Sequence, residues 1–281
     1  MGGLATIGIN AMHRAPFPYF GGKYRMLKWL LPLLPQTKHY CELFGGSGIV
    51  LLNREPSTVE TYNDVDGILV NFFQVLRDHP NALLRLLSLT PYSRWEYITS
   101  IASNQYVASS VELARLFYID AKMSFSGGGK HSSPGHWSHS ITYAARCMPS
   151  TVSKWLSSVD EVLPYIIHRL RTVQIECNDA LRVIDTYDDK DTLFYCDPPY
   201  PVSGVAYRYE CTDGYHVELA NKLCNAMGLV AVSGYHCDLL DNLYSGWVVH
   251  EYPVTSAASV GKGGEGHRLE VVWTNYEWGT Q

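Results

Sequence analysis

The amino-acid sequence predicts an α/β domain that is interrupted by a mostly helical insertion. Short apolar runs ending at glycine, asparagine or acidic residues alternate with helical patterns in both outer parts of the chain, whereas the middle part shows helical patterns alone. The chain has 281 residues, 46% of them hydrophobic, which is enough for one large domain with such an insertion. We therefore expect residues 1–66 and 164–281 to fold together, with 67–163 as a second domain.

The first part of the sequence has the element order of a Rossmann-like nucleotide site. After a loose leader at 1–14 it predicts a turn at 16–23, a helix at 24–34, a strand at 39–44, a glycine turn at 45–48, the beginning of a helix at 49–53 and a strand at 58–62. Asp64 then follows the glycine turn at about the 20-residue spacing typical of a ribose-binding acid.

The last part returns to the α/β pattern. It predicts helices at 180–187, 213–227 and 239–243, and strands at 173–177, 192–196, 229–233, 247–252 and 269–276, of which the last two form a closing pair. Asp213 is the predicted N-cap of its helix, because a carboxylate there can accept a hydrogen bond from the first turn.

Charge and cysteine content exclude several function classes. A net charge of −5 argues against a polycation that coats nucleic acid, although residues 67–163 hold eight Lys or Arg against six Asp or Glu. The seven Cys are scattered without a C-x-x-C pair, so we expect neither a disulfide framework nor a Cys-based zinc site. No apolar run reaches the ~20 residues of a membrane span, and no signal peptide is evident. We expect a soluble protein of a reducing compartment, the cytoplasm.

The segment Asp197-Pro198-Pro199-Tyr200 is the most informative motif. It follows the apolar run at 192–196, which is predicted as a buried strand that the two prolines end. The segment is either an ordinary turn or a site for a planar ring with an amine. In such a site the carboxylate accepts hydrogen bonds from the amine, and the tyrosine stacks on the ring.

The glycine turn is a second candidate site. Its glycines allow either a tight strand-to-helix turn or a close approach of the backbone to a ligand. Leu51 replaces the third glycine of a dinucleotide motif, and no Gly-Lys-Ser/Thr follows as in a P-loop. Glu42 and Asp64, at the ends of two predicted strands, could hold a ligand ammonium and a ribose diol.

Three further groups each have two interpretations. Lys23 is either a solvated lysine at a helix start or the partner of a ligand carboxylate. Asn178 and Asp179 form an N-cap or face the adenine edge of a ligand. The three His of the polar loop 126–139 have no Cys or carboxylate beside them, so we expect contact with solvent or nucleic acid rather than with metal.

In their order along the chain, these segments resemble the Dam-like, alpha-class DNA adenine-N6 methyltransferases of the phage and orphan bacterial type. The resemblance covers nearly the whole chain from Pro16 and rests on residues 19–23, 42–48, 63–64 and 197–200, with support from 233–235 and 268–276. Tyr19 and Phe20 stand where the family more usually has Trp-Ala.

The resemblance implies S-adenosylmethionine as the methyl donor, S-adenosylhomocysteine as the product and no metal. It implies a Rossmann-like S-adenosylmethionine-dependent methyltransferase core with an inserted DNA-recognition domain at 67–163. The expected cofactor-binding residues are Tyr19, Phe20, Lys23, Glu42, Phe44, Gly45, Ser47, Gly48, Asp64, Asn178 and Asp179.

The implied reaction is methyl transfer to N6 of an adenine that flips out of duplex DNA. Tyr200 would stack on the flipped ring, while the Asp197 carboxylate and the Pro198 carbonyl would accept the two N6 hydrogens. Pro198 and Pro199 make this turn rigid, since proline fixes φ. Positioning and electrostatics would supply the rate without a covalent intermediate.

Double-stranded DNA is the expected partner, and no membrane contact is expected. The residues expected to contact phosphate are Lys122, Lys130, Arg146 and Lys154. The loop 126–139 is either a plain surface loop or an element that enters a DNA groove through His136, Trp137 and His139.

Two other function classes stay open. A methyltransferase for cytosine N4, RNA or a protein glutamine would share much of the site, although these enzymes more often have Ser or Asn at the position of Asp197. A non-catalytic DNA-binding protein on a methyltransferase fold would keep the architecture, but the intact segment 197–200 argues against it.

Overall fold

A seven-stranded mixed sheet lies at the centre of the computed structural model, which describes residues 15–19, 21–103, 109–125, 136–144, 147–201, 211–255 and 267–277. Its order is β3-β2-β1-β4-β5-β7-β6. The first five strands of this order are parallel, and β7 is antiparallel to both its neighbours. The strands are β1 His39–Glu42, β2 Val59–Asn63, β3 Val173–Glu176, β4 Thr192–Cys196, β5 Leu229–Tyr235, β6 Val248–Thr255 and β7 His267–Thr274.

Helices cover both faces of the sheet, and the α/β fold class predicted from the sequence is confirmed. A 3₁₀ turn lies on each side of α1, at Tyr24–Met26 and Leu31–Leu33, and a π-helical segment at Ser158–Val162 joins α6 to α7. None of the helices in the described ranges is long and apolar enough to cross a membrane. The helices are α1 Leu27–Leu30, α2 Gly67–Asp78, α3 Pro80–Leu89, α4 Arg94–Ser103, α5 Ser110–Met123, α6 Ser150–Ser157, α7 Leu163–Leu170, α8 Ala180–Tyr187, α9 Asp213–Cys224 and α10 Asp238–Leu243.

The strand order creates a crevice at the carboxyl ends of β1 and β4. β1 lies between β2 and β4 and is parallel to both. The chain connections on the two sides of such a central strand run in opposite directions, which leaves a crevice at the carboxyl ends of the strands. Ligands of open α/β sheets bind in this crevice. Glu42, Asn63 and Cys196 are the last residues of β1, β2 and β4. The predicted motifs therefore follow strands that end at the same edge.

Each face of the sheet has its own hydrophobic core, since successive strand residues point to opposite faces. Tyr40 of β1 belongs to the core that includes Phe72 of α2 and Trp155 of α6. Cys41 belongs to the other core, with Leu219 of α9. The helices of residues 67–163 thus share a core with the sheet, and the division of the chain into two domains stays a prediction.

The predicted helix at 49–53 is wrong, because these residues form consecutive turns. The backbone N–H of Leu51 donates to the Glu42 carboxylate at 2.8 Å instead of to a helical carbonyl. Pro56 also follows closely, and the residue before a proline is disfavoured in the helical conformation. The N–H groups of Leu52 and Arg54 still donate to carbonyls four residues earlier, so the segment makes single helical turns that do not continue as a helix.

The predicted N-cap of α9 is displaced by one residue. Thr212 is the N-cap, with an extended backbone at φ −73° and ψ 162°, and its hydroxyl accepts from the N–H of Tyr215. Asp213 is consequently the first helical residue, where its charge still favours the helix N-terminus.

A buried ion pair holds α7 against the sheet. Glu60 of β2 is 1% exposed, and its two carboxylate oxygens lie 2.5 Å and 2.7 Å from the two guanidinium nitrogens of Arg169. Arg169 also donates to the carbonyl of Leu51 at 3.0 Å. Because a buried carboxylate is costly without a partner, this bidentate pair sets the position of α7.

Replacing Arg169 with Met should lower the free energy of unfolding by up to about 3–5 kcal/mol, because Glu60 stays buried with only Arg54, 3.8 Å away, as a charged partner. Denaturant unfolding, with the slope checked for two-state behaviour, measures this change. Arg77→Met is the matched control, since Arg77 pairs with Asp78 at an exposed site. The control should lose less than about 1 kcal/mol. Equal losses of unfolding free energy in Arg169→Met and Arg77→Met would show that the buried Glu60–Arg169 pair stabilises the protein no more than the Arg77–Asp78 pair does.

Candidate active site

A cavity of about 290 Å³ opens at the carboxyl ends of β1, β2 and β4. Of the residues predicted to bind cofactor, Gly48 does not line this cavity and Phe20 lies outside the described residues. The structure brings the remaining predicted cofactor residues and the segment 197–200 together in one place. The predicted residues that line the cavity are Tyr19, Lys23, Glu42, Phe44, Gly45, Ser47, Asp64, Asn178, Asp179, Asp197, Pro198, Pro199 and Tyr200.

The glycine turn after β1 presents bare backbone to the cavity. Gly46 and Gly48 have φ values of +50° and +65°, where other residues rarely fit. A Cβ atom on Gly45 would lie 2.1 Å from the Tyr62 ring. Tyr62 is buried, and its hydroxyl donates to the Gly46 carbonyl at 2.7 Å. The tyrosine ring therefore supports the turn from the core side and requires glycine at position 45.

Asp64 is fixed beside the glycine turn by backbone donors. Its Oδ2 accepts from the N–H of Gly46 and its Oδ1 from the N–H of Asp66, both at 2.9 Å. Burial raises the pKa of Asp64 to about 6, although these hydrogen bonds act in the opposite direction. The carboxylate is thus held in place and lines the cavity.

Glu42 places a carboxylate with an elevated pKa at the end of β1. The residue is 2% exposed, and its Oε2 accepts from the Tyr40 hydroxyl at 3.0 Å and from the Leu51 N–H. Burial raises the pKa of Glu42 to about 8, against the lowering effect of both donors. Its Oε1 accepts no hydrogen bond from the residues that the structure describes. A ligand cation at this oxygen would stabilise the ionised form.

Asn63 joins three parts of the site, although the sequence analysis gave it no role. Its Nδ2 donates to the carbonyls of Leu43 and Asn178, at 2.9 Å and 3.0 Å, and its Oδ1 accepts from the N–H of Asn178. Its backbone carbonyl accepts from Gly45 at 2.7 Å. The sequence does hold one indication of this role, because Asn63 is a polar residue at the end of a predicted buried strand and stands next to Asp64.

Lys23 occupies a buried cluster of charges. The side chain is 5% exposed, and its Nζ lies 2.8 Å from Asp197 Oδ1, 2.9 Å from Glu270 Oε1 and 2.6 Å from the Tyr200 hydroxyl. Burial alone would lower the pKa of Lys23, but the carboxylates of Asp197 and Glu270 raise it above its ordinary value. The ammonium group thus has two protein carboxylates as partners. Glu270 is a residue of the site that the sequence analysis missed.

Tyr200 is held by its hydroxyl group. The residue is 8% exposed, and its hydroxyl lies 2.8 Å from Asp197 Oδ1 and 2.5 Å from Glu270 Oε1. Its ring packs edge-to-face with Tyr235 at a centroid distance of 4.8 Å. Burial raises the pKa of Asp197, and the charge of Lys23 counteracts part of this rise. Since the phenol has one proton, it can donate to only one of the two carboxylates at a time.

Asp179 caps α8, as the sequence predicted. Its Oδ1 accepts from the N–H of Leu181 at 2.9 Å, and its Oδ2 accepts from the Tyr215 hydroxyl at 3.3 Å. Tyr215 and Cys211 also line the cavity. Neither residue was expected from the sequence, because no motif marks them and they come close only through the packing of α9 beside α8.

The lysines predicted to contact DNA lie on neighbouring helices, away from the cavity. Lys122, in the last turn of α5, is half-buried, and Lys154 of α6 is exposed. Burial and the nearby charge of Lys154 lower the pKa of Lys122 to about 8. Lys130 and Arg146, the other two predicted phosphate contacts, lie outside the described residues.

Trp137 is packed between polar and charged groups. Its ring stacks on His139 at 5.6 Å and 15°, and the Arg94 guanidinium lies 4.7 Å from it. Trp137 is half-buried, whereas His136 and His139 are exposed. Across the described ranges, no group of three or more His, Cys, Asp or Glu could hold a metal ion.

The cavity lies within a segment that matches a known family. The family model described as D12 class N6 adenine-specific DNA methyltransferase matches residues 19–257, and the chain belongs to this family. It is therefore an enzyme of the adenine-specific DNA methyltransferase class. The family predicted from the order of the motifs is confirmed, as is a Rossmann-like methyltransferase fold.

Three curated relatives agree with this family. The chain is 25% identical to the Type II methyltransferase M1.LlaDCHI of Lactococcus lactis subsp. cremoris, over 95% of this chain and 97% of the relative. It is 26% identical to the DNA N-6-adenine-methyltransferase of Escherichia phage P1, over 66% of this chain and 24% of that protein. It is 24% identical to the DNA adenine methylase of Haemophilus influenzae, over 67% and 64% respectively.

Gly45→Ala should destabilise the protein by about 1–3 kcal/mol or more, because the new Cβ would force the Tyr62 ring away from the turn. Denaturant unfolding measures the loss. Gly214→Ala, in the first turn of α9, is the control, since its Cβ would meet its nearest neighbour at an ordinary 3.8 Å. Wild-type stability of Gly45→Ala would contradict the supporting role of Tyr62.

Proposed function

We propose that this protein transfers a methyl group from S-adenosylmethionine to N6 of an adenine that has flipped out of duplex DNA. The proposal is carried by one observation: the glycine turn with Asp64 and the segment 197–200 line the same cavity. Direct transfer requires the donor site and the amine site to share one space. Membership of the family supports DNA as the substrate and adenine as the base.

The residues of the cavity fit S-adenosylmethionine, which supplies an electrophilic methyl group when bound. Glu42 Oε1 is an acceptor for the methionine ammonium, and the Asp64 carboxylate is an acceptor for the ribose hydroxyls. At Gly46 a Cβ would lie 2.8 Å from the Tyr19 ring, so the lack of side chains keeps this part of the cavity open. We assign the methionine end to Tyr19, Phe20 and Lys23, the floor to Phe44, Gly45 and Ser47, and the adenine edge to Asn178 and Asp179. Gly48 does not line the cavity and would support this floor only through its positive φ in the glycine turn.

The adenine amine would meet two acceptors in the segment 197–200. Asp197 Oδ1 accepts from Lys23 and Tyr200, while Oδ2 accepts no hydrogen bond from the described residues and is left for one N6 hydrogen. The carbonyl of Pro198 accepts the other hydrogen. Acceptors outside the ring plane favour a tetrahedral nitrogen, whose lone pair then points at the methyl group. As the N–C bond forms and the S–CH3 bond breaks, S-adenosylhomocysteine would be released and the Asp197 carboxylate would accept the proton that N6 loses. Positioning and electrostatics thus supply the rate.

The target adenine has to leave the DNA stack, because N6 cannot reach a cavity at the end of a sheet while the base is paired. Flipping costs a few kcal/mol. The ring of Tyr200 lines the cavity and would stack on the flipped base, which offsets part of this cost.

Residues 67–163 would contact the duplex, as an inserted DNA-recognition domain beside the core at 1–66 and 164–281. Burial and, to a smaller extent, the charge of Lys154 lower the pKa of Lys122, and a phosphate between the two lysines would relieve the repulsion between them. An enzyme that methylates DNA would act in the cytoplasm of a bacterial or phage-infected cell. The proposed DNA contacts are Lys122, Lys130, Arg146 and Lys154 for phosphates and His136, Trp137 and His139 for a groove.

Asp197→Ala should bind S-adenosylhomocysteine within a few-fold of wild type and lose methylation of duplex DNA by a factor on the order of 10³, because one acceptor for the amine is gone. Labelled methyl transfer measures activity, and calorimetry measures binding. Asp185→Ala, which removes an exposed carboxylate of α8, is the matched control. Full activity of Asp197→Ala, or N4-methylcytosine as the product, would contradict the proposal.

Affinity for S-adenosylhomocysteine should fall by up to about tenfold for each pH unit below 8, because binding of its ammonium first requires ionisation of Glu42, whose pKa is about 8. Calorimetry between about pH 7 and pH 7.5, where Asp64 with its pKa of about 6 stays mostly ionised, measures the slope. In Glu42→Gln the slope should disappear. Methylthioadenosine, which lacks the ammonium, should show no slope with either protein, and equal slopes for both ligands would contradict the assignment of Glu42.

A further inference from the structure

Glu270 is a buried carboxylate that the proposed reaction does not use. It lies on β7, is 5% exposed, and pairs in register with Tyr235 of β5. Its Oε1 lies 2.9 Å from Lys23 Nζ and 2.5 Å from the Tyr200 hydroxyl. Burying a carboxylate is costly, and a purely structural position could be filled by an apolar residue of similar size.

The donors of Glu270 are the same two groups that contact Asp197. Lys23 Nζ lies 2.8 Å from Asp197 Oδ1, and the Tyr200 hydroxyl lies 2.8 Å from the same oxygen. One ammonium and one phenol proton are therefore shared between two carboxylates. Glu270 competes with Asp197 for both donors, which keeps the carboxylate of Asp197 only partly neutralised.

We propose that Glu270 is a positioning residue of the methyl-transfer site, which acts on Asp197 through Lys23 and Tyr200. By drawing these donors toward β7, it leaves Asp197 Oδ2 as a negative acceptor facing the adenine amine. This inference rests on the proposed role of Asp197 as an acceptor. It explains why two carboxylates surround a single buried ammonium group.

Other groups also face Asp197, and substitutions of Glu270 leave them unchanged. Glu42 of β1, and Tyr195 and Cys196 of β4, interact electrostatically with it, in addition to Lys23, Tyr200 and Glu270. Burial, then Lys23, then Glu270 are the three largest influences on the pKa of Asp197, and Glu270 raises it. Removing the charge of Glu270 alone should therefore lower the pKa of Asp197.

The test is Glu270→Gln, which keeps the shape of the side chain and one acceptor oxygen but removes the charge. Single-turnover methylation of duplex DNA should slow by about 10–100-fold, since Lys23 and Tyr200 then bind Asp197 alone. The acid limb of the pH–rate profile should move to lower pH by about one unit. Affinities for S-adenosylhomocysteine and for DNA should stay within about twofold.

Two further variants accompany Glu270→Gln: a matched control, and a second substitution of Glu270 that keeps the charge. Glu251→Gln removes an exposed carboxylate from the neighbouring strand β6 and should leave rate and profile unchanged. Glu270→Asp keeps the charge at a longer distance and should show a smaller loss of rate and a smaller shift of the acid limb. If Glu270→Gln does not fold, the rate and the acid limb of Glu270→Asp decide the test.

Two results would overturn the inference: a wild-type rate in Glu270→Gln, or a slower rate whose acid limb stays in place, as a merely structural residue would give. Failure of the proposed function is a separate outcome. If Asp197→Ala retains full turnover, Asp197 is not the acceptor. If Asp197→Ala is inactive while Glu270→Gln matches wild type in rate and profile, only the role of Glu270 fails.

Discussion

The buried ammonium group of Lys23 is the constraint on which the rest of the site depends. It lies inside the protein and is charged, so it requires partners that compensate for lost hydration. The partners come from the turn after β4 and from β7, while Lys23 itself precedes β1. A single charge thus holds together three segments that are distant in the sequence, and two of the groups involved, Lys23 and Asp197, line the cavity.

The opposite side of the cavity depends on neutral hydrogen bonds. Asn63 joins the ends of β1 and β2 to the loop before α8, and Tyr62 supports the glycine turn through its ring and hydroxyl. These groups carry no net charge, so the side assigned to the cofactor owes its shape to close packing and backbone geometry. An ion-paired cluster of Lys23, Asp197 and Glu270 lies beside the segment assigned to the target base. The carboxylates of Glu42 and Asp64, on the cofactor side, accept hydrogen bonds from neutral donors. The two halves of the site are stabilised by different physical means.

The fold and most of the candidate site could be predicted because their signals are local. A short apolar run followed by glycine or by Asp-Pro-Pro marks the end of a strand, and parallel strands end at one edge of a sheet. The family resemblance implied that the segments 42–48, 63–64 and 197–200 meet, and all of their residues except Gly48 line one cavity. The order of these motifs along the chain also predicted the family.

The residues that could not be predicted act through long-range packing. Glu270 lies in an ordinary-looking strand, and nothing in its neighbourhood of sequence shows that β7 runs beside β5 with this side chain next to Lys23. The predicted helix at 49–53 failed for a related reason, since the Glu42 carboxylate binds the Leu51 N–H. In both places a buried carboxylate makes a contact that the local sequence does not reveal.

The charge cluster also orders the assembly of the site during synthesis. The glycine turn, Asn63 and Asp64 all lie within the first part of the chain, whereas Glu270 emerges from the ribosome more than 70 residues after Asp197. A nascent chain that has reached β5 can bring Lys23 against Asp197 but cannot yet place the second carboxylate. The amine-binding half of the site therefore reaches its final electrostatic state only when β7 inserts between β5 and β6.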